Sequence, residues 1–245
     1  MLDAEGNLYG TTYGGGYLGC QPSYGCGTVF KLDSAGNETV LYSFTGEAPD
    51  YGQNPVGGLV QDLKGNLYGT TSYGGVDSYL GNVFKLEPSG SITDLYNFTG
   101  VGGDGEYPAT NLTLDAHGNL FGTTNYGGEV GCPYQSGLGC GMAFKVNATG
   151  SETILYIFAG GANGFNPSAL VRDAQGNLYG TTAGGGDDAC NPSYGCGRVF
   201  KLSPPVTTTT ELTSSPKPST YGDAVTFIAV VAPVPPNGES VSVSV

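Results

Sequence analysis

One decapeptide is written four times in this chain: DAEGNLYGTT from Asp3, DLKGNLYGTT from Asp62, DAHGNLFGTT from Asp115 and DAQGNLYGTT from Asp173. A chain that repeats itself this closely builds the same local structure four times and buries each copy's apolar face against its neighbours. The motif asparagines Asn7, Asn66, Asn119 and Asn177 are spaced by 59, 53 and 58 residues. That period is too long for a helical hairpin and suits a unit of four strands.

Each unit carries four strand signals, labelled A to D, illustrated by Gly58 to Val60, Asn66 to Thr71, Asn82 to Leu86 and Ile92 to Phe98. They are rich in Val, Ile, Thr and aromatic residues and are divided by turn residues. The A to B turn, D-x-x-G-N, offers a carboxylate to turn N–H groups and a glycine for positive φ. The C to D turns at Asp33 to Gly36, Glu87 to Gly90 and Asn147 to Gly150 are as short. In strand D, Tyr42 and Phe44, Tyr96 and Phe98, and Tyr156 and Phe158 share one face, while Leu41, Leu95 and Leu155 take the other. Sheets apolar on both faces pack between neighbours, as propeller blades do. Gly10, Gly69, Gly122 and Gly180 interrupt strand B, where glycine admits a ring or backbone packed closely over it. Lys31, Lys85, Lys145 and Lys201 recur at one position of strand C and read as scaffold chemistry.

The chain holds 44 glycines and 15 prolines in 245 residues, a share that would suggest disorder without the periodic apolar residues between them. Eight cations against 21 acids leave a net charge of -13, which would repel a phosphate backbone and makes nucleic acid and anionic membrane poor partners. No window is long and apolar enough to span a bilayer. The chain opens inside a repeat, without a signal peptide's basic and apolar regions, and is expected to be a fragment.

DxxGNLYGTT followed by GTVFKL and ETVLYSFTG resembles the GloVer tandem repeat of bacterial choice-of-anchor surface proteins, over about residues 2 to 203. The DxxGNLY hairpin alone also resembles propeller repeats of the NHL type. The resemblance implies an exported β-propeller and supplies no catalytic set. The expected fold is all-β: a propeller or partial propeller arc over residues 1 to 203, in units near 2–57, 58–109, 110–167 and 168–203. Strand A of the first unit is reduced to Leu2 and Asp3, and the fourth unit stops after strand C at Leu202, giving 15 strands and favouring an arc. A Pro/Thr linker over 204–210 leads to ELTSSPKPSTYGDAVTFIAVVAP, which resembles the opening of a bacterial Ig-like repeat. At 211–245 that domain is far shorter than a complete sandwich.

The six cysteines pair as Cys20 with Cys26, Cys132 with Cys140 and Cys190 with Cys196, each pair within one B to C loop, and the second unit has neither. Joint presence and joint absence is what local disulfides predict, because one partner alone is a reactive thiol. Zinc is the competing reading, but two thiolates per loop and a single histidine, His117, fall short of four ligands. Loops this short would stabilise by about 2 to 2.5 kcal/mol each once closed. Persistent disulfides place the protein in an oxidising compartment, extracellular or at the cell surface.

Antiparallel order puts the B to C and D to A connections at one end of every sheet and the short turns at the other. The long connections carry Tyr13, Tyr24, Tyr73, Tyr79, Tyr126, Tyr134 and Tyr194 among Gly, Ser, Asn and Pro. Such mixtures form binding surfaces, and Tyr13, Tyr24, Tyr73, Tyr126, Tyr134 and Tyr194 are the candidate ligand-binding residues. Folding back to order the loops is the competing role for each ring. Asp104, Glu106, Asp187 and Asp188 in the same loops could ligate calcium or act as paired carboxylates, but no EF-hand spacing is present and solvated acid is the favoured reading. No other cofactor is implied. His117 occupies a variable turn position, and no nucleophile-elbow, zincin or P-loop motif occurs. The expected function is an exported binding or display scaffold whose long-loop face meets glycan or protein. The alternatives are a propeller enzyme degrading polysaccharide, with part of its site on missing blades, and a structural spacer.

Overall fold

The computed structural model describes residues 1–20, 24–47, 52–75, 79–108, 110–128, 132, 138–187, 189, 194–204, 209–215 and 226–232. The chain divides into two units, Met1–Leu202 and Ser203–Val245.

The first unit is a series of four antiparallel sheets taken in chain order. The first holds β1 (Leu8–Thr12), β2 (Thr28–Leu32) and β3 (Glu38–Ser43), the B, C and D strands. The second is complete, with β4 (Gly52–Gln61), β5 (Leu67–Gly74), β6 (Asn82–Leu86) and β7 (Ile92–Asn97). In the third, strand A is split into β8 (Gly105–Pro108) and β9 (Thr113–Leu114), both on β10 (Leu120–Gly127), followed by β11 (Met142–Val146) and β12 (Glu152–Ile157). The fourth has β13 (Phe165–Pro167) and β14 (Val171–Arg172) on β15 (Leu178–Gly184), then β16 (Arg198–Leu202), with no D strand among the described residues. The first sheet's strand A survives as a Leu2–Leu8 bridge, with backbone bonds between Met1 and Tyr9 in both directions.

The repeat dictates the register. Gly10, Gly69, Gly122 and Gly180 pair across strands with Phe30, Phe84, Phe144 and Phe200. A Cβ on Gly69 would lie 2.6 Å from Cζ of Phe84, so the ring occupies the space that only glycine leaves. From the second sheet on, the ring meets the strand D phenylalanine of the preceding sheet edge to face: Phe44 with Phe84 and Phe98 with Phe144 at 5.1 Å, Phe158 with Phe200 at 5.0 Å. Around these pairs lie three apolar clusters, one at each sheet-to-sheet junction. Equivalent sheets stacked face to face make this unit a β-propeller arc of four blades.

Strand A begins earlier than the sequence reading placed it. The connections read as loops over 46–57, 100–109 and 160–167 end in strand: Pro55 pairs with Thr71, Pro108 with Thr124 and Pro167 with Thr182. Their Gly and Pro content signals loop, but strand A is an edge strand, where a sheet tolerates proline. The residue before each proline, Asn54, Tyr107 or Asn166, has φ of 56, 54 or 51°. Its N–H donates to a carbonyl of the preceding unit's B to C loop: Cys26 at 2.7 Å, Leu80 at 2.8 Å and Cys140 at 3.0 Å. Consecutive blades are thus clasped at their long-loop ends.

In the second unit, β17 (Thr209–Ser215) and β18 (Thr226–Ala232) form one antiparallel pair, with Thr209 opposite Ala232 and Ser215 opposite Thr226.

Candidate functional site

The short-turn end is built of four near-identical corners. In each D-x-x-G-N turn the aspartate accepts from the asparagine backbone and side chain, as in Asp62 with Asn66 N at 2.9 Å and Nδ2 at 2.7 Å. Tyr68 and Tyr179 add their hydroxyls to Asp62 and Asp173. Burial pushes the Asp62 carboxyl up, but the bonds from Asn66, Tyr68 and Lys64 outweigh it and hold the group below its ordinary range. A cavity of about 940 Å³ opens here between the second and third sheets, lined by Lys64, Lys85, Asp115 and His117 among others. Its groups are spoken for: Asp115 holds Asn119, and Lys85 is paired with Glu87 at 2.7 Å. His117 stands in solvent, with Nδ1 3.9 Å from Asp115. The strand C lysines serve the scaffold, Lys31 and Lys201 lying over the rings of Tyr9 and Tyr179.

Variety is confined to the long-loop end. Two of its loops are closed by the Cys20–Cys26 and Cys132–Cys140 disulfides, with Cα atoms 5.4 and 5.0 Å apart. Cys196 is disulfide-bonded as well, and Cys190, its expected partner, lies outside the described residues. Bonded sulfurs are unavailable to zinc, and no group of three or more His, Cys, Asp or Glu poised for a metal occurs among the described residues. Each of the first two bridges also fixes the residue whose carbonyl takes the next blade's clasp, Cys26 and Cys140.

On this end the structure brings Tyr13, Tyr73 and Tyr126 together and adds a fourth ring, Tyr107. Tyr73 and Tyr107 meet edge to face at 5.5 Å, and Tyr107 and Tyr126 at 5.9 Å. Tyr13 lies against Tyr73, and its phenol is raised first by burial and then by that neighbour. The row keeps access to solvent, Tyr13 being 52% and Tyr73 39% exposed. Glu106 pairs across the strands with Tyr126, and its carboxyl is raised by burial and then by Asp104. The site is therefore a row of phenol rings with one carboxyl beside it.

Tyr107 escaped the sequence reading because it lies in a segment taken for a linker. The signal was present: GQNP, GEYP and GFNP are equivalent, and tyrosine stands where the other two copies have asparagine. Asparagine tolerates left-handed backbone, whereas a bulky residue there is an outlier of the kind found at functional sites.

The other candidates lie apart from this row. Tyr24 is 68% exposed in the first disulfide loop, and Tyr194 packs edge to face on Phe165 at 4.8 Å. Tyr79 is exposed, and Tyr134 lies outside the described residues. Among the acids, Asp104 departs from the solvated reading. It is 5% exposed, and its carboxylate accepts from Thr99 N at 2.6 Å, Thr99 Oγ1 at 2.7 Å and Gly105 N at 2.6 Å. Its work is to hold the connection leading into β8. Asp187 accepts from Ala189 N, and Asp188 lies outside the described residues. No described helix is long and apolar enough to cross a membrane.

Residues 1–187 match the family described as the Gloeobacter/Verrucomicrobia repeat. No curated protein matches the chain. Solved structures similar to it include a candidate gluconolactonase, at 15% identity and a TM-score of 0.43 over 74% of this chain and 61% of that one. A luciferin-regenerating enzyme is similar at 20% identity and a TM-score of 0.44, over 83% and 59% of the two chains. The chain thus spans about three fifths of the length of each.

Proposed function

The chain belongs to the Gloeobacter/Verrucomicrobia repeat family, and on that footing we propose that it is an exported scaffold whose long-loop end binds a polyhydroxylated glycan. Disulfides in its loops support an oxidising, extracellular or cell-surface setting. The observation that carries the binding reading is Tyr107: a ring held at φ 54°, where the repeat elsewhere uses asparagine, and aligned between Tyr73 and Tyr126. Phenol faces stack on the apolar faces of sugars, their hydroxyls exchange hydrogen bonds with sugar hydroxyls, and Glu106 adds an acceptor. A net charge of -13 favours neutral over acidic glycans.

The test is a Tyr107→Asn variant, which restores the residue the other copies carry. It should keep the fold, with stability unchanged or raised by about 1 kcal/mol through relief of left-handed strain. On a glycan array it should lose capture by about tenfold or more, as should Tyr73→Ala and Tyr126→Ala. Undiminished capture would remove the row from the site. Protein ligands on the array surface would redirect the reading from glycan to protein, and release of shortened glycan would replace it with hydrolysis.

A further inference from the structure

The fourth sheet differs from the second and third in one respect that the repeat makes legible. In the first three sheets strand C is covered on its outer edge by strand D, in one register: Lys31 opposite Thr39, Lys85 opposite Thr93 and Lys145 opposite Thr153. Each C strand carries the same irregularity, between Val29 and Phe30, Val83 and Phe84, and Ala143 and Phe144. Each pairing ends with the strand D phenylalanine N–H donating to a strand C glycine carbonyl: Phe44 to Gly27 at 3.1 Å, Phe98 to Gly81 at 3.0 Å and Phe158 to Gly141 at 3.0 Å. β16 is the same strand by sequence and pairs inward with β15 in the same way, yet no described strand pairs with its outer edge. Val199 on this strand is 76% exposed, whereas its equivalents Val29, Val83 and Ala143 are 0% exposed, each packed in a cluster that joins its own strand D phenylalanine to the following sheet.

We propose that the outer edge of β16 receives, in trans, an extended strand of the x-T-x-L-Y-x-F pattern, the D strand of a further repeat unit. The three complete pairings define the fit. The incoming strand runs antiparallel, with its threonine opposite Lys201, its tyrosine opposite Val199 and its phenylalanine N–H on the Gly197 carbonyl. Tyrosine and phenylalanine lie two residues apart, so both rings fall on the face of Val199 and cover it. The residue before that threonine falls opposite Leu202, beside Lys201, and in the first and third units it is a glutamate, Glu38 or Glu152. Main-chain bonds supply the attachment in such strand addition, and alternate side chains supply the selectivity. This site is independent of the tyrosine row and stands or falls without it.

The experiment titrates the intact chain into a fluorescein-labelled peptide of the sequence of residues 38–46, ETVLYSFTG, and follows anisotropy. Saturable binding is expected. Val199→Asp, a change at an exposed position, should weaken it by about tenfold or more, whereas Val171→Asp, equally exposed on β14 of the same sheet, should leave it unchanged. Two further peptides are N-methylated at alternate residues in opposite frames. Only the frame that blocks the N–H groups facing β16 should abolish binding, since a strand turns successive N–H groups to opposite sides. Absence of binding by the unmodified peptide, indifference to Val199→Asp, or equal effects of the two methylation frames would each overturn the proposal.

Discussion

A single position can matter through a neighbour distant in sequence, and Glu152 is the clearest case. It opens β12, and its Oε1 is buried without a hydrogen-bond partner. Burial, with the Asp104 carboxylate adding to it, pushes the Glu152 carboxyl from 4.5 up to about 7. Thr99 and Gly105 donate to Asp104, which orders the turn before β8. A carboxyl that keeps its proton more firmly when folded favours the folded state while protonated. Its contribution is fully present below about pH 4.5 and is lost as pH climbs through about 7. Glu152→Gln should therefore flatten the stability profile across this window. The variant should match the parent near about pH 4 and exceed it by about 1 kcal/mol near about pH 8, a figure reduced for partial solvent screening. Thermal melts of both proteins across that range check this; parallel profiles would show that Glu152 ionises freely.

At the level of the element, the loops and the strands they join were read from sequence with unequal success. Strands B and C and the D-x-x-G-N corners were legible because their chemistry is local: an aspartate four residues before its asparagine, and a glycine whose cross-strand partner is always phenylalanine. The Cys20–Cys26 and Cys132–Cys140 pairings within loops were legible by the same locality. The first half of strand A was not, because its stabilising bonds come from another unit: the Asn54, Tyr107 and Asn166 N–H groups reach carbonyls 28, 27 and 26 residues earlier in the chain, on Cys26, Leu80 and Cys140. Nothing in a window of G-x-N-P reports that reach, and so Tyr107 and the continuity of the ring row were missed. This linkage gives the disulfides a role beyond loop entropy. Replacing Cys132 and Cys140 by serine should cost about 2 kcal/mol from the loop alone. It should also loosen the clasp at Asn166, so exchange protection should fall at that amide in the next blade. Urea melts and hydrogen exchange together separate the two effects; loss confined to the loop's own amides would reduce the bridge to a local staple.

Met1–Leu202 behaves as a stack in which each sheet owes its burial to neighbours, so the first and fourth sheets, each packed against one described sheet, are the least supported. Equivalent residues differ in burial accordingly. Leu8 of the first sheet is 43% exposed, whereas Leu67, Leu120 and Leu178 at the same position are 4%, 0% and 4% exposed. Val199 in the fourth sheet stands in the same relation to Val29, Val83 and Ala143. Phe84 and Phe144 are sealed between two sheets, whereas Phe30 has no preceding strand D phenylalanine to meet and remains half-buried. Repeat arrays with nearest-neighbour coupling open from their ends, and the free energy of opening rises toward the middle. Hydrogen exchange under native conditions should accordingly find the slowest amides in β5, β6, β10 and β11, with faster exchange in β1, β2, β15 and β16. The tyrosine row should be insulated from this fraying, since Tyr73, Tyr107 and Tyr126 all belong to the second and third sheets. Equal protection in all four sheets would mean that the unit opens as one body, and that exposure at Leu8 and Val199 carries no local cost in stability.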